Sequence, residues 1–478
     1  MVLRLKLIHQ SECLQPPDLS PASAVEFAAK PDPAFHGTEG PVKHSYSAQW
    51  SNIHSNLFET AATLGAPRNT DTGNGKNDGC MTAPVTVDAT TAKRCYAASA
   101  YLEPNLHRKN LLVLTEAQVT KVLFEDDGRL KRAIGIECLK DGSLLQIKNV
   151  KRDVVVSAGS YQSPQILELS GIGNPAILSK FGIKTIIDLP GVGENLRMFR
   201  EDHIGVPTIA EVNTKDETMD VLADPEIQHQ KGLLATVPAS AFVFLSADAL
   251  GSEEDIKSWK EHAHAQCTDS FANVVPSLRS GLEKQYEIQQ SFLDDKKHSQ
   301  AELLNVAMHP FVLNAHPEPG KRYTSLLCAL LHPFSRGTVH ITSADPLVPP
   351  AIDPNYFANE ADLACIVRAL QFGLKVYRTQ PFAGHVVKQV LPPADAIERG
   401  EEGLKDYIRG YSRQVFHAVG TAAMMPREDG GVVDPSLKIY GTSNLRVVDC
   451  SIVPFELSCH TQSIAYAVGE KVMLEVMA

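Results

Sequence analysis

Apolar and polar positions alternate through NLLVLTEAQVTKVLFEDDGRLKRAIGIECL, residues 110–139, about a turn at Asp126–Gly128. A period of two places successive side chains on opposite faces, so this stretch predicts β-strands in a hairpin or meander. Val154–Ser157 is apolar without alternation and runs into a small-residue turn, as a buried parallel strand does. A helical segment follows it, and then KTIIDLPGVGENL. SNLFETAATLG (Ser55–Gly65) predicts a short helix ended by a glycine cap, and KRCYAASAYLEP (Lys93–Pro104) restores a helical pattern. Apolar residues recur at helical spacing in EADLACIVRALQFGLKVYRT, Glu360–Thr379. YTSLLCALLHPFSRGTVHI (Tyr323–Ile341) holds two more apolar strands. NLRVVDCS (Asn444–Ser451) reads as a strand and SIAYAVGEKVMLEVMA as a closing helix. Residues 15–50, rich in Pro, Ser and His, read mostly as loop. From Glu211 to about Ala315 the periodicity weakens and charges cluster, as in DDKKHSQAE, which predicts an inserted or cap-like region with helices. The weakest part, 213–300, is expected to serve as a substrate-side lid rather than as part of a nucleotide-binding sheet.

Composition narrows the function classes. A chain of 478 residues with 43% hydrophobic positions, 30 Pro and 31 Gly suits a large α/β or α+β protein. The net charge of −11 argues against nucleic acid or an anionic membrane surface as the main partner. No apolar run has the length of a bilayer span, and MVLRLKLIHQSECLQPPD lacks the apolar core of a signal peptide. The nine cysteines, scattered from Cys13 to Cys459, form no C-x-x-C pair, and the chain has no N-x-[ST] sequon. These features point to a reducing, cytoplasmic setting.

Three stretches invite a dinucleotide reading, and each fails it. GIGNPA (Gly171–Ala176) follows a helical segment and has Pro175 inside the turn. GVGENL (Gly191–Leu196) lacks the third glycine, and GNGKNDG (Gly73–Gly79) is polar on both sides. A phosphate-cradling loop must leave a strand and open a helix, so that backbone N–H groups face the pyrophosphate.

The more suggestive chemistry lies near the C-terminus. His417 and His460 each sit beside small residues, and between them a strand ends in Asp449, Cys450 and Ser451. Strand ends of this kind present ligand groups in α/β folds. If the chain returns across that end, the two rings can converge on one substrate atom. One neutral imidazole then takes a proton from an alcohol while the other steadies the developing alkoxide. Spacing alone does not separate this from two core or loop donors bonded to backbone carbonyls. The other histidines, among them His36, His309, His332 and His340, read as such donors. No G-x-S-x-G elbow supports a serine hydrolase, and no H-E-x-x-H or Cys/His cluster supports a metal site.

Several stretches, in one order, resemble the glucose–methanol–choline (GMC) flavin oxidoreductases. They are FHGTEGPV, RCYAASAYLEP, GSYQSPQILELSGIG, LLHPFSRGTVHI with PAIDPNYF, HAVGTAAMMPREDGGVVDPSLKIYGTSNLRVVDCSIVP, and CHTQSIAYAVGEK. The resemblance runs from about residue 5 to the end and is weakest through 213–300. It implies a mixed α/β (α+β) fold: a Rossmann-like FAD-binding domain with a GMC-type substrate domain built on an antiparallel sheet. It places the remaining FAD domain at 1–210, mainly the substrate-binding cap at 211–415, and a return to the FAD domain at 416–478. It implies an FAD-dependent dehydrogenase or oxidase that passes hydride from a small-molecule alcohol to the flavin, in intracellular or secondary metabolism. His417 matches the first of the family's catalytic pair and is the preferred base; His460 matches the partner position. Asp449, Cys450, Thr461 and Gln462 match positions lining the flavin, and Val119, Ala158 and Gly159 match the adenosine side.

Two departures from the family stand out. Its fingerprint glycines and first nucleotide-binding βαβ unit precede the counterpart of LHRKNLLVLTEAQVTKVLF, whereas here the chain begins just before FHGTEGPV. The FAD domain is therefore expected to be incomplete, with FAD binding by this chain doubtful. GENLRMFREDHIGVP also carries a short insertion between its Asn-Leu and Asp-His parts. The rival readings are an FAD-free homologue acting as a cyclase or lyase, and a non-catalytic, truncated protein.

Overall fold

The computed structural model describes residues 11–46, 50, 52–197, 204–214, 241–270, 274–306, 318, 320–412 and 416–477. Residues 198–201 of the expected insertion, the 215–240 portion of the expected lid, and His309 lie outside the described residues. The fold is mixed α/β, as expected, and is built around two cores.

The larger core is a six-stranded antiparallel sheet in the order Val386–Leu391, Ile204–Val212, Tyr323–Leu330, Ser299–Val306, Ala241–Ser246, Gly79–Thr82. Its strands come from distant parts of the chain, including the weakly periodic stretch that yields Ala241–Ser246 and Ser299–Val306. Val243, Leu245, Ala301 and Leu303 point to one face and pack beneath the helix Glu360–Arg378. That helix starts where Asn359 accepts the Ala361 N–H, keeps Glu360 and Asp362 in its first turn, and ends with Lys375 and Arg378, in accord with its macrodipole. Leu370 and Ile366 on its inner face are fully buried, each contributing roughly 1.5–3 kcal/mol of apolar burial. The helices Asn52–Thr63, Glu253–Ser270 and Pro276–Asp294 pack around the same core.

The second core holds the alternating stretch, now seen as a three-stranded meander of Ala117–Asp127, Leu130–Lys140 and Ser143–Lys148. Beside it the strand Val154–Val156 pairs in parallel with Leu445–Val447, and the helix Gly159–Leu169 packs across them. Among the described residues no other strand pairs with Val154–Val156, and Val155 is 46% exposed. Residues 15–46 carry more structure than a loop: a helix at Pro21–Glu26 capped by Ser20, and a strand Val42–Ser45 paired in parallel with Glu12–Gln15. Residues 93–105 supply a two-residue strand and a wide helical turn, Ala98–Leu102, rather than a regular helix.

A buried ionic staple ties the N-terminal segment down. His36 Nδ1 lies 3.2 Å from Glu12 Oε1, its Nε2 lies 2.8 Å from Asp71 Oδ1, and the Gly37 N–H donates to Glu12 at 2.9 Å. Burial alone would lower the His36 ring, but the Asp71 and Glu12 carboxylates outweigh it and raise it from 6.5 to about 9. Burial would likewise raise Glu12, yet bonds from His36, His44 and Gly37 hold it at about 2, down from 4.5. A histidine with a raised folded value contributes stability below its unfolded value and loses it as pH climbs through the folded one; a depressed carboxylate does the reverse. The staple is therefore at full strength between pH 4.5 and 6.5, and weakens toward 9 and toward 2. His36→Gln is expected to lower the thermal midpoint markedly at about pH 6 and much less at about pH 9.5. An equal loss at both values would show that the His36 charge plays no part.

Candidate active site

The antiparallel sheet presents one of its faces to the C-terminal segment. Phe242 pairs with Leu304 and Phe244 with Glu302, so these four side chains share the face opposite Val243, Leu245, Ala301 and Leu303. Phe242 and Phe244 stack with Met81 and Leu331 into a small apolar cluster. Glu302 is buried beside it, its side chain 1% exposed, and its Oε1 lies 3.3 Å from His460 Nε2. A carboxylate this deep is costly without a partner, and His460 supplies one. The edge of the His460 ring also meets the Phe242 ring, with centroids 5.2 Å apart at 85°.

His460 lies in the loop that opens the helix Gln462–Met477, and His417 in the loop that leads to Val419. Backbone bonds between Arg197 and Val419 in both directions anchor that second loop. The two rings meet with centroids 4.5 Å apart and planes at 55°. They thus share one wall, although the sequence separates them by the whole 418–459 stretch. His417 Nδ1 is buried against this wall.

The expected cofactor residues fall in two groups. Ala158, Gly159, Asp449 and Cys450 gather where the parallel strands Val154–Val156 and Leu445–Val447 end. Asp449 Oδ2 accepts the Gly159 N–H at 3.0 Å and the Ser163 hydroxyl at 2.5 Å, while Oδ1 accepts the Ser451 N–H at 2.8 Å. Gly159 takes φ +79, a left-handed conformation open to glycine, and a Cβ there would meet nothing within 4 Å. Thr461 and Gln462 follow His460 directly, and Gln462 Oε1 accepts the Thr86 hydroxyl at 2.7 Å. Val119 stands apart on the strand Ala117–Asp127, which packs against the helix that Gly159 opens.

Residues 25–201 and 333–469 match the N- and C-terminal domains of the GMC oxidoreductase family. The chain belongs to that family. It is 33% identical over 442 residues to the GMC oxidoreductase family protein Mala s 12 of Malassezia sympodialis, covering 91% of this chain and 67% of that protein. It is 31% identical over 452 residues to a glucose oxidase of Aspergillus carbonarius, covering 94% of this chain and 69% of the relative. Among solved structures it resembles an FAD-dependent oxidoreductase from Chaetomium thermophilum, with a TM-score of 0.86 and 25% identity, over 99% of this chain and 79% of that one.

The family implies FAD, and the GMC residues described here fit one end of it. The His417–His460 wall, with Thr461 and Gln462 beside it, suits the redox-active ring. The pyrophosphate end fits less well. At the one described turn from a parallel strand into a longer helix, the Gly159 N–H is taken by Asp449 and the Ala158 N–H by Ser163 Oγ at 3.1 Å. A carboxylate already occupies the position an anion would take.

Sequence reasoning missed Glu302. It lay inside the charge cluster DDKKHSQAE, which looks like solvated surface. The available signal was its place in AELLNV, as the one charged residue of a mostly apolar run. Among the described residues no His, Cys, Asp and Glu group suits a metal ion, and no helix is long and apolar enough to cross a membrane.

Proposed function

We propose that this GMC oxidoreductase oxidises a primary or secondary alcohol, with His417 as base, His460 as its partner and Glu302 behind His460. The observation that carries the reading is the imidazole pair at 4.5 Å backed by a buried carboxylate at 3.3 Å. When bound, FAD supplies the acceptor for the hydride leaving the alcohol carbon. His417 takes the hydroxyl proton. His460, held by Glu302 through Nε2, lies beside the substrate oxygen and steadies the charge developing there. The Glu302 carboxylate keeps the His460 ring from rotating and offsets positive charge on the pair. Phe242 and the neighbouring apolar cluster limit water beside the rings.

In this reading Asp449, Cys450, Thr461 and Gln462 lie along the flavin, with Val119, Ala158 and Gly159 on the adenosine side. Residues 211–415 mainly bind substrate, a small-molecule alcohol, with neither nucleic acid nor a membrane as partner. FAD is held weakly by the described residues, for want of free backbone donors at the pyrophosphate. Glu302→Gln keeps the shape and removes the charge. It is expected to lower kcat roughly 5- to 100-fold with KM little changed, the effect of about 1–3 kcal/mol at one buried hydrogen-bonded charge. Steady-state rates with added FAD and an electron-accepting dye provide the check. An unchanged kcat would remove Glu302 from the site.

A further inference from the structure

Two histidines outside the proposed reacting pair also meet: His298 Nε2 and His332 Nε2 lie 2.9 Å apart. His298 stands just before the strand Ser299–Val306, which carries Glu302. His332 follows the neighbouring strand Tyr323–Leu330 and is 4% exposed. Its Nε2 lies 2.7 Å from Ser458 Oγ, and the Ser458 hydroxyl donates to the Ser299 carbonyl at 3.2 Å. Asn77 adds a second link: its amide donates to the Ser458 carbonyl at 2.5 Å, and its own carbonyl accepts the Ser299 hydroxyl at 3.0 Å. The Phe292 ring stacks on His298 with centroids 4.0 Å apart and planes at 20°.

The network ties together two short pieces of chain that nothing in the sequence order connects. One runs on from Ser299 to Glu302, and the other runs on from Ser458 to His460. Where these pieces sit relative to one another decides whether His460 reaches Glu302. That contact, at 3.3 Å, is at the long end of hydrogen bonding, so a displacement of a few tenths of an ångström weakens it steeply.

We propose that His332 is a positioning residue: with His298 and Ser458 it clamps the His460 segment to the strand of Glu302. Its consequence for turnover rests on the reading of His460 as a partner in alcohol oxidation. The clamp itself does not, because it is read directly from the His460 ring. The ¹⁵N imidazole spectrum of His460 is to be compared in the unsubstituted protein, Glu302→Gln, His332→Leu, His332→Gln and Ser458→Ala. The expected result is that His332→Leu and Ser458→Ala move the His460 signals in the same direction as Glu302→Gln. His332→Gln, which keeps an N–H for Ser458, should hold them near their original place. In turnover, His332→Leu should lower kcat about tenfold and leave KM nearly unchanged, a split that general destabilisation does not produce. His460 signals unmoved in His332→Leu and Ser458→Ala, while Glu302→Gln shifts them, would overturn the clamp. Ser458→Ala deletes a single oxygen and decides the matter if His332→Leu does not fold. A protein that turns over no alcohol yet shows the shared spectral shift would retain the clamp and lose the reaction.

Discussion

Replacing His417 or His460 by alanine is expected to cut alcohol turnover by about 100- to 10,000-fold, the range that a positioned general acid–base group supplies. The rings stand 4.5 Å apart on one wall, and in the proposed reaction they act on the same substrate oxygen. The His460 ring is oriented by Glu302 at 3.3 Å. Removing either member leaves the other without the geometry that makes it effective. The double variant should therefore be little slower than the slower single variant, as happens when residues act as one unit. His417→Ala should be the more damaging if His417 takes the proton. Steady-state kcat/KM for the three variants, with FAD in excess, measures both points. Fully multiplicative effects, or a single variant within twofold of the unsubstituted protein, would show that the pair does not work as proposed.

The second large effect concerns the cofactor. The 478-residue chain is expected to purify with far less than one FAD per chain, and to lose what it carries on dilution. A dinucleotide is held chiefly through its pyrophosphate, by backbone N–H groups at a helix N-terminus. Here the helix Gly159–Leu169 meets the end of a parallel strand, but Asp449 and Ser163 take the N–H groups of Gly159 and Ala158. A dianionic pyrophosphate would also face a chain of net charge −11. Val155 and, separately, Leu111 to Leu114 expose apolar surface, Leu112 to 90%, which favours association in solution. Absorbance after gel filtration gives the stoichiometry. One tightly held FAD per chain in the unmodified protein would mean that the described residues hold the pyrophosphate in a way not recognised here.

The sequence displayed the periodic parts of this fold plainly. The first two strands of the meander, at 117–140, the strands at Val154 and Leu445, and the helix Glu360–Arg378 follow from alternation, continuous apolarity and helical spacing, whereas the third meander strand, Ser143–Lys148, lay beyond the stretch so read. The six-stranded sheet was harder to read. Its strands lie far apart in the chain, and Ser299–Val306 carries Gln300, Glu302 and Asn305 among its apolar residues. Polar groups buried by tertiary pairing look like surface until their partners are known. Glu302 shows this most clearly, since its partner His460 stands 158 positions away. His36, set aside as an ordinary structural donor, is the hub of an ionic staple, and His332 joins His298 to Ser458 in the proposed clamp. His417 and His460 were singled out by the strand end between them and by the family's motifs, but their proximity needed the fold.

Anaerobic mixing of the protein, added FAD and a single alcohol tests the central claim most directly. The visible flavin band and the carbonyl product are followed together, for the unsubstituted chain and for the His417→Ala, His460→Ala double variant. The account predicts that the flavin band bleaches, that one carbonyl forms for each flavin reduced, and that the double variant is slower by at least about 100-fold. Alcohol consumed without flavin reduction, or flavin reduced equally fast without the two histidines, would contradict it.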